Sequence, residues 1–130
     1  MGKRALPCIR TREISEEILQ DTIVLAARTL GYMVYHTIDA RLNEPGFPDL
    51  IIVGYGQMIV WEVKTARGKL RPASVTKKGR YLPSQKDWLD AFAKAGITQG
   101  VIRPDDLDDA LTLLSQWRDD ALNREERRTA

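Results

Sequence analysis

The spacing of apolar positions changes period several times along the chain, and each change marks an element. From Ile14 to Leu30 apolar residues recur at helical spacing (Ile14, Ile18, Leu19, Ile23, Ala26, Leu30), and Gly31 stands where a glycine ends a helix. Tyr32 to Ile38 reads as a strand, followed by a loop from Asp39 to Phe47 with Pro45-Gly46 as its turn signal. Two β-rich runs, 49–53 and 58–64, then flank Gly54-Tyr55-Gly56-Gln57, whose two glycines supply turn chemistry. Ser84 with Asp87 predicts a capping box opening a helix from Gln85 to Ala95, stopped by Gly96, with Trp88, Leu89 and Phe92 on its buried face. Thr98 to Arg103 is a short strand. Pro104 suits the first position of a last helix, where Asp105 and Asp106 complement the dipole and Leu107, Leu111, Leu114 and Trp117 form an apolar face. Residues 1–13 predict a partly ordered basic arm, and the charged tail 119–130 is expected to fray. The order helix, strand, hairpin, helix, strand, helix predicts one α/β domain over 14–118, a small mixed sheet flanked by helices.

The hairpin fixes a register. If the turn takes Gly54 to Gln57, Val53 lies opposite Met58, and counting outward puts Asp49 opposite Glu62. Alternation then gives Glu62 and Lys64 one face of the strand and Trp61 and Val63 the other. Opposed residues have Cβ atoms roughly 4.5–5.5 Å apart, and like charges there destabilise a sheet. Two facing carboxylates beside apolar strands call for a cation between them. A hard divalent ion with oxygen ligands fits, with Lys64 a fixed positive charge beside it. The blander alternative makes Glu62 and Lys64 a solvated strand face and Asp49 the end of a turn.

Composition narrows the chemistry. The 130 residues suffice for a single core, and the single Cys8 excludes an internal disulfide. The single His36 cannot build a His-rich zinc site or a paired-histidine nuclease motif, and reads as a packing or hydrogen-bonding residue. Hydrolytic chemistry here would rest on carboxylates, lysine and bound metal. No apolar run approaches the ~20 residues of a membrane span, and no signal-peptide core follows Lys3-Arg4, so a cytoplasmic protein is expected. The net charge of +2 hides a separation. From Lys64 to Lys86 there are eight basic residues and no acidic one, while the rest of the chain carries a net −6. A polyanion-binding surface would concentrate charge in this way.

The full arrangement, Gly46-Phe47-Pro48-Asp49-Leu50 before the first hairpin strand and Glu62-Val63-Lys64 at the end of the second, resembles the PD-(D/E)xK nuclease superfamily, and within it the small stand-alone VRR-NUC branch. The resemblance runs over roughly residues 14–105. It implies a restriction-endonuclease-like αβββαβ core plus a C-terminal helix, and divalent-metal-dependent hydrolysis of DNA phosphodiester bonds. Asp49 and Glu62 would hold Mg²⁺ or Mn²⁺, the backbone carbonyl of Val63 would add a ligand, and Lys64 would orient the attacking water. Glu16 on the first helix, with Glu17 as the alternative, would approach the metal, and Gln85 matches a glutamine close to the lysine. The products would carry 5′-phosphates. The stretch around 71–81 stands as an insertion relative to the family. Arg67, Lys69, Arg71, Lys77, Lys78 and Arg80 are the DNA-contacting candidates, expected in an exposed, mobile, irregular segment. Arg41 reads as a surface arginine, with a phosphate contact as the alternative. The expected partner is branched or flapped DNA, as in replication, recombination or repair. Symmetric cleavage of a Holliday-type junction would require a homodimer. No small-molecule cofactor and no membrane are expected. A sequence-specific restriction-type nuclease and a catalytically idle DNA-binding module are the alternatives.

Overall fold

A computed structural model of the chain describes residues 14–37 and 43–129. The arm at 1–13, Cys8 and Arg41 lie outside the described residues. Helix α1 (Glu16–Thr29) starts at Ser15, whose hydroxyl accepts from the Ile18 N–H at 3.1 Å. Strand β1 is Met33–His36, β2 is Leu50–Gly54 and β3 is Gln57–Val63. Two short strands follow, β4 (Ser74–Val75) and β5 (Tyr81–Leu82), then helix α2 (Gln85–Lys94), strand β6 (Thr98–Ile102), a 3₁₀ turn at Pro104–Asp106 and helix α3 (Leu107–Thr129). The chain is therefore a mixed α/β domain. Its main sheet has four strands in the order β1-β2-β3-β6, antiparallel except for the parallel β3–β6 pair.

Alternation sorts the sheet into two faces. Leu50, Ile52, Ile59, Trp61 and Val63 share one face and form a single core with Leu19, Ile23, Val24 and Ala27 of α1 and Ala110 and Leu114 of α3. The other face carries Val60, Glu62 and Lys64, where α2 packs against β3 and β6. Strand β3 is central, and its last five residues, Ile59 to Val63, are all buried. The opening of α2 matches expectation: Ser84 Oγ accepts from Asp87 N–H at 2.9 Å, and the Asp87 carboxylate returns a bond to Ser84 N–H at 2.9 Å. Of its expected buried face only Leu89 is fully buried; Trp88 and Phe92 are half-buried and stack edge-on with Phe47.

Three expectations are corrected. The hairpin turn takes two residues rather than four, because Gly54 pairs with Gln57 and only Tyr55 (φ 52°) and Gly56 (φ 76°) take left-handed conformations. Gly54 serves packing instead: a Cβ there would lie 2.7 Å from the Tyr32 ring. The tail does not fray at 119, since α3 continues to Thr129. Most of its residues beyond Trp117 (Arg118, Ala121, Leu122 and the run Arg124 to Arg128) are good helix formers, and Gln116 donates to Asp120 one turn on at 2.9 Å. The basic segment is not wholly without regular structure, because β4 and β5 pair as a short hairpin, with Thr76 N–H donating to the Arg80 carbonyl at 2.9 Å; its six basic residues lie outside both strands and are exposed, as expected. Among the described residues no helix is long and apolar enough to cross a membrane.

Candidate active site

The predicted register holds: Val53 pairs with Met58 and Leu50 with Trp61, so the next position outward sets Asp49 against Glu62. Asp49 lies just before β2, and its Oδ2 accepts the backbone N–H of Val63 at 2.8 Å. That bond carries the carboxylate across the mouth of the hairpin onto the end of β3. Val63 contributes through its backbone only, since its side chain is buried in the core on the opposite face.

Glu62 is the one buried charged side chain among the described residues, at 1% exposure. Its Oε2 accepts from the Gln85 amide at 2.8 Å and lies 3.6 Å from the Lys64 ammonium, whose side chain is 12% exposed. Its Oε1 is buried and has no hydrogen-bond partner. Burial first, and then the neighbouring Asp49 charge, outweigh the attraction of Lys64 and push the Glu62 pKa from 4.5 up to about 8. A buried carboxylate oxygen without a donor is an acceptor site awaiting a proton or a cation. With Asp49 opposite, the oxygen donor set fits a hard divalent ion.

Gln85 links this cluster to the basic segment. Its side-chain carbonyl accepts the Arg71 N–H at 2.5 Å, and its own N–H donates to the Arg71 carbonyl at 3.1 Å. The amide that orients Glu62 therefore also fixes the backbone of one cationic residue. A cleft of about 430 Å³ opens beside Asp49 and Gln85, with Arg71, Thr37 and Asn43 on its walls. Its outer wall, the 43–47 loop, is tied to α2. Trp88 Nε1 donates to the Pro45 carbonyl at 3.1 Å, and Gly46 (φ +84°) sits where a Cβ would meet the Pro83 carbonyl oxygen at 2.8 Å. A hollow of about 450 Å³ between Tyr55-Gly56 and the end of α3 lacks paired carboxylates, being lined by Leu122, Arg124, Glu125 and Arg128 among others.

The structure thus brings together Asp49, Glu62, the Val63 backbone, Lys64 and Gln85. Glu16 is not gathered in. It and Glu17 stay exposed in the first turn of α1, and no third acidic, histidine or cysteine side chain among the described residues joins the pair. One turn on, the Gln20 amide lies 3.5 Å from His36 Nδ1, in line with a packing role for that histidine. Arg67, Lys69, Arg71, Lys77, Lys78 and Arg80 are all exposed, and Arg80 pairs with Glu44 at 3.0 Å. Sequence reasoning missed Arg103. Its Nη1 donates to the carbonyls of Thr65 and Gly68, each at 2.7 Å, in the turn that follows Lys64. Neither a family model nor a curated protein matches the sequence.

Proposed function

We propose that this chain is a divalent-metal-dependent nuclease that hydrolyses DNA phosphodiester bonds, built on a restriction-endonuclease-like version of the mixed α/β fold. The observation that carries the reading is the buried Glu62 carboxylate, facing Asp49, held by Gln85 and Lys64, with one oxygen left without a donor. Asp49 and Glu62 would hold Mg²⁺ or Mn²⁺, with the Val63 carbonyl as a further ligand. A bound divalent ion neutralises phosphoryl charge and acidifies water, the two requirements of phosphodiester hydrolysis near neutral pH.

The protein's own groups do the rest. The Val63 N–H fixes Asp49 and the Gln85 amide fixes Glu62, so neither carboxylate has to reorganise on binding. Lys64 sits on the same strand face, two residues from Glu62. It would hold the attacking water by a hydrogen bond and stabilise charge growing on the phosphate. Exposed Arg67, Lys69 and Arg71 leave directly from that strand, and the β4–β5 hairpin adds Lys77, Lys78 and Arg80. This supports a phosphate backbone as the ligand. Contacts to phosphates carry no base sequence in themselves, which favours a structure-specific over a sequence-specific nuclease. The test is cleavage of branched, flapped and linear DNA with Mg²⁺ or Mn²⁺ against a chelator, with Asp49→Asn as control. Metal-dependent cutting that the variant loses is the expected result. Cutting that survives Asp49→Asn, or its complete absence from the wild type on all three substrates, refutes the reading.

A further inference from the structure

Strands β3 and β6 run parallel with Val63 beside Ile102, and the Lys64 N–H donates to the Ile102 carbonyl at 3.0 Å. One step beyond that register, Lys64 and Arg103 leave the sheet as neighbours. The chain after Lys64 turns at once, with Gly68 N–H donating to the Thr65 carbonyl at 3.2 Å. The turn folds back so closely that a Cβ on Gly68 would lie 2.9 Å from Thr65 Oγ1 and 3.5 Å from Lys64 Cδ. Lys64 thus runs along its own following turn.

Arg103 caps three of the turn's carbonyls from outside. Its Nη1 reaches Thr65 O and Gly68 O at 2.7 Å each and Ala66 O at 3.5 Å, while its backbone N–H is anchored to the Asp106 carboxylate at 2.9 Å. A planar guanidinium can serve convergent carbonyls from a fixed direction, whereas an ammonium is a compact point charge on a flexible stem. We propose that Arg103 is the positioning residue of the site: by clamping the 65–68 turn it holds the Lys64 side chain over Glu62 and sets the direction in which the basic segment leaves the sheet. The inference rests on the catalytic role proposed above for Lys64, but its geometric core does not.

The experiment uses Arg103→Ala and Arg103→Lys in the full chain, with two readouts. The first is acylation of Lys64 by an amine-specific reagent, followed by peptide mass spectrometry. Both variants should label at Lys64 several-fold faster, while Lys94 at the end of α2 keeps its rate. The second is metal-dependent DNA cleavage, where kcat should fall by about 10²-fold, the scale of a small misplacement of a reacting group. Millimolar guanidinium should restore Arg103→Ala in both readouts, and equal ammonium should not. A wild type without cleavage sinks the nuclease reading yet leaves the labelling test intact. The positioning role is overturned if Lys64 labelling stays at the wild-type rate, if Arg103→Lys behaves as wild type, or if all lysines label faster together. Loss of a cooperative melt in both variants overturns it as well, since Arg103 would then be a folding residue.

Discussion

Glu62 makes a quantitative demand on stability. Its pKa moves from 4.5 in the unfolded chain to about 8 in the folded one. Between those values the native state holds a proton that the unfolded chain has released, so stability must fall as pH rises. The contribution is complete below pH 4.5 and is lost once the pH passes about 8. At about 1.4 kcal/mol for each tenfold step, the upper bound is about 5 kcal/mol. For a chain of this size that corresponds to a melting temperature lower by on the order of 10–20 °C. Glu62→Gln isolates the effect. Its amide still accepts from Gln85 and can donate to Asp49, imitating the protonated acid without titrating. Melting followed by circular dichroism from pH 4.5 to 9, in chelator, should show the wild type falling steeply relative to the variant, with the two curves close at low pH. Adding Mg²⁺ or Mn²⁺ at the high-pH end should raise the wild-type midpoint and leave the variant nearly unmoved, because a ligand stabilises the state that binds it. Parallel curves over the whole range would refute the placement of Glu62 as a buried, cation-seeking carboxylate.

Asp49→Asn should abolish cleavage and weaken metal binding by calorimetry, while the metal-free melting temperature holds or rises, because a charge facing Glu62 has gone. Lys64→Ala should lower kcat by ~10²–10³ without lowering metal affinity; a large loss of affinity would make Lys64 a structural strut. Replacing Lys77, Lys78 and Arg80 together by Ala should weaken DNA binding, and should flatten the slope of log affinity against log salt by roughly 0.9 for each lost contact on duplex DNA. Folding should barely change, since the Arg80–Glu44 pair is exposed and such pairs contribute about 0–1 kcal/mol.

What the sequence disclosed was whatever short-range patterns control. Alternation and a glycine turn are enough to set the hairpin register, so Asp49 could be placed against Glu62 from counting alone. The capping box of α2 is equally local, needing only Ser84 and Asp87. Where the outcome depends on distant packing, the pattern misleads. Gly54 looked like a turn residue, yet its missing side chain makes room for the Tyr32 ring, across the sheet edge. Strands of two residues with mostly exposed side chains carry no alternation to read, which is why the β4–β5 hairpin stayed hidden. The end of α3 was misjudged because only Ala121 and Leu122 are apolar between Trp117 and Thr129, while helix propensity and side-chain pairs continue it. Arg103 gave no signal at all: its partners are backbone carbonyls 35–38 residues earlier, and carbonyls have no letter in the sequence.

The energetics of Glu62 bear on whether the fold could be an idle DNA-binding module. Domains of this kind have a total stability of ~5–15 kcal/mol, so a side chain whose ionisation opposes folding by up to about 5 kcal/mol is a large liability. A module that only displayed Lys77, Lys78 and Arg80 to a phosphate backbone would have no use for it. A leucine or glutamine at 62 would fill the same buried position on β3 and leave no oxygen without a donor. The surrounding groups relieve the problem only in part, since Lys64 favours the ionised form but burial and Asp49 outweigh it. Gln85 and Lys64 both address Oε2, and the Asp49 charge opposite makes ionisation harder. The same arrangement would become favourable with a divalent cation held by Asp49 and Glu62, which would supply the missing partner and offset the Asp49 charge. Strain of this kind is tolerated where a bound ligand offsets it. That makes Glu62, rather than the cationic surface, the residue on which the choice between an enzyme and a binding module turns.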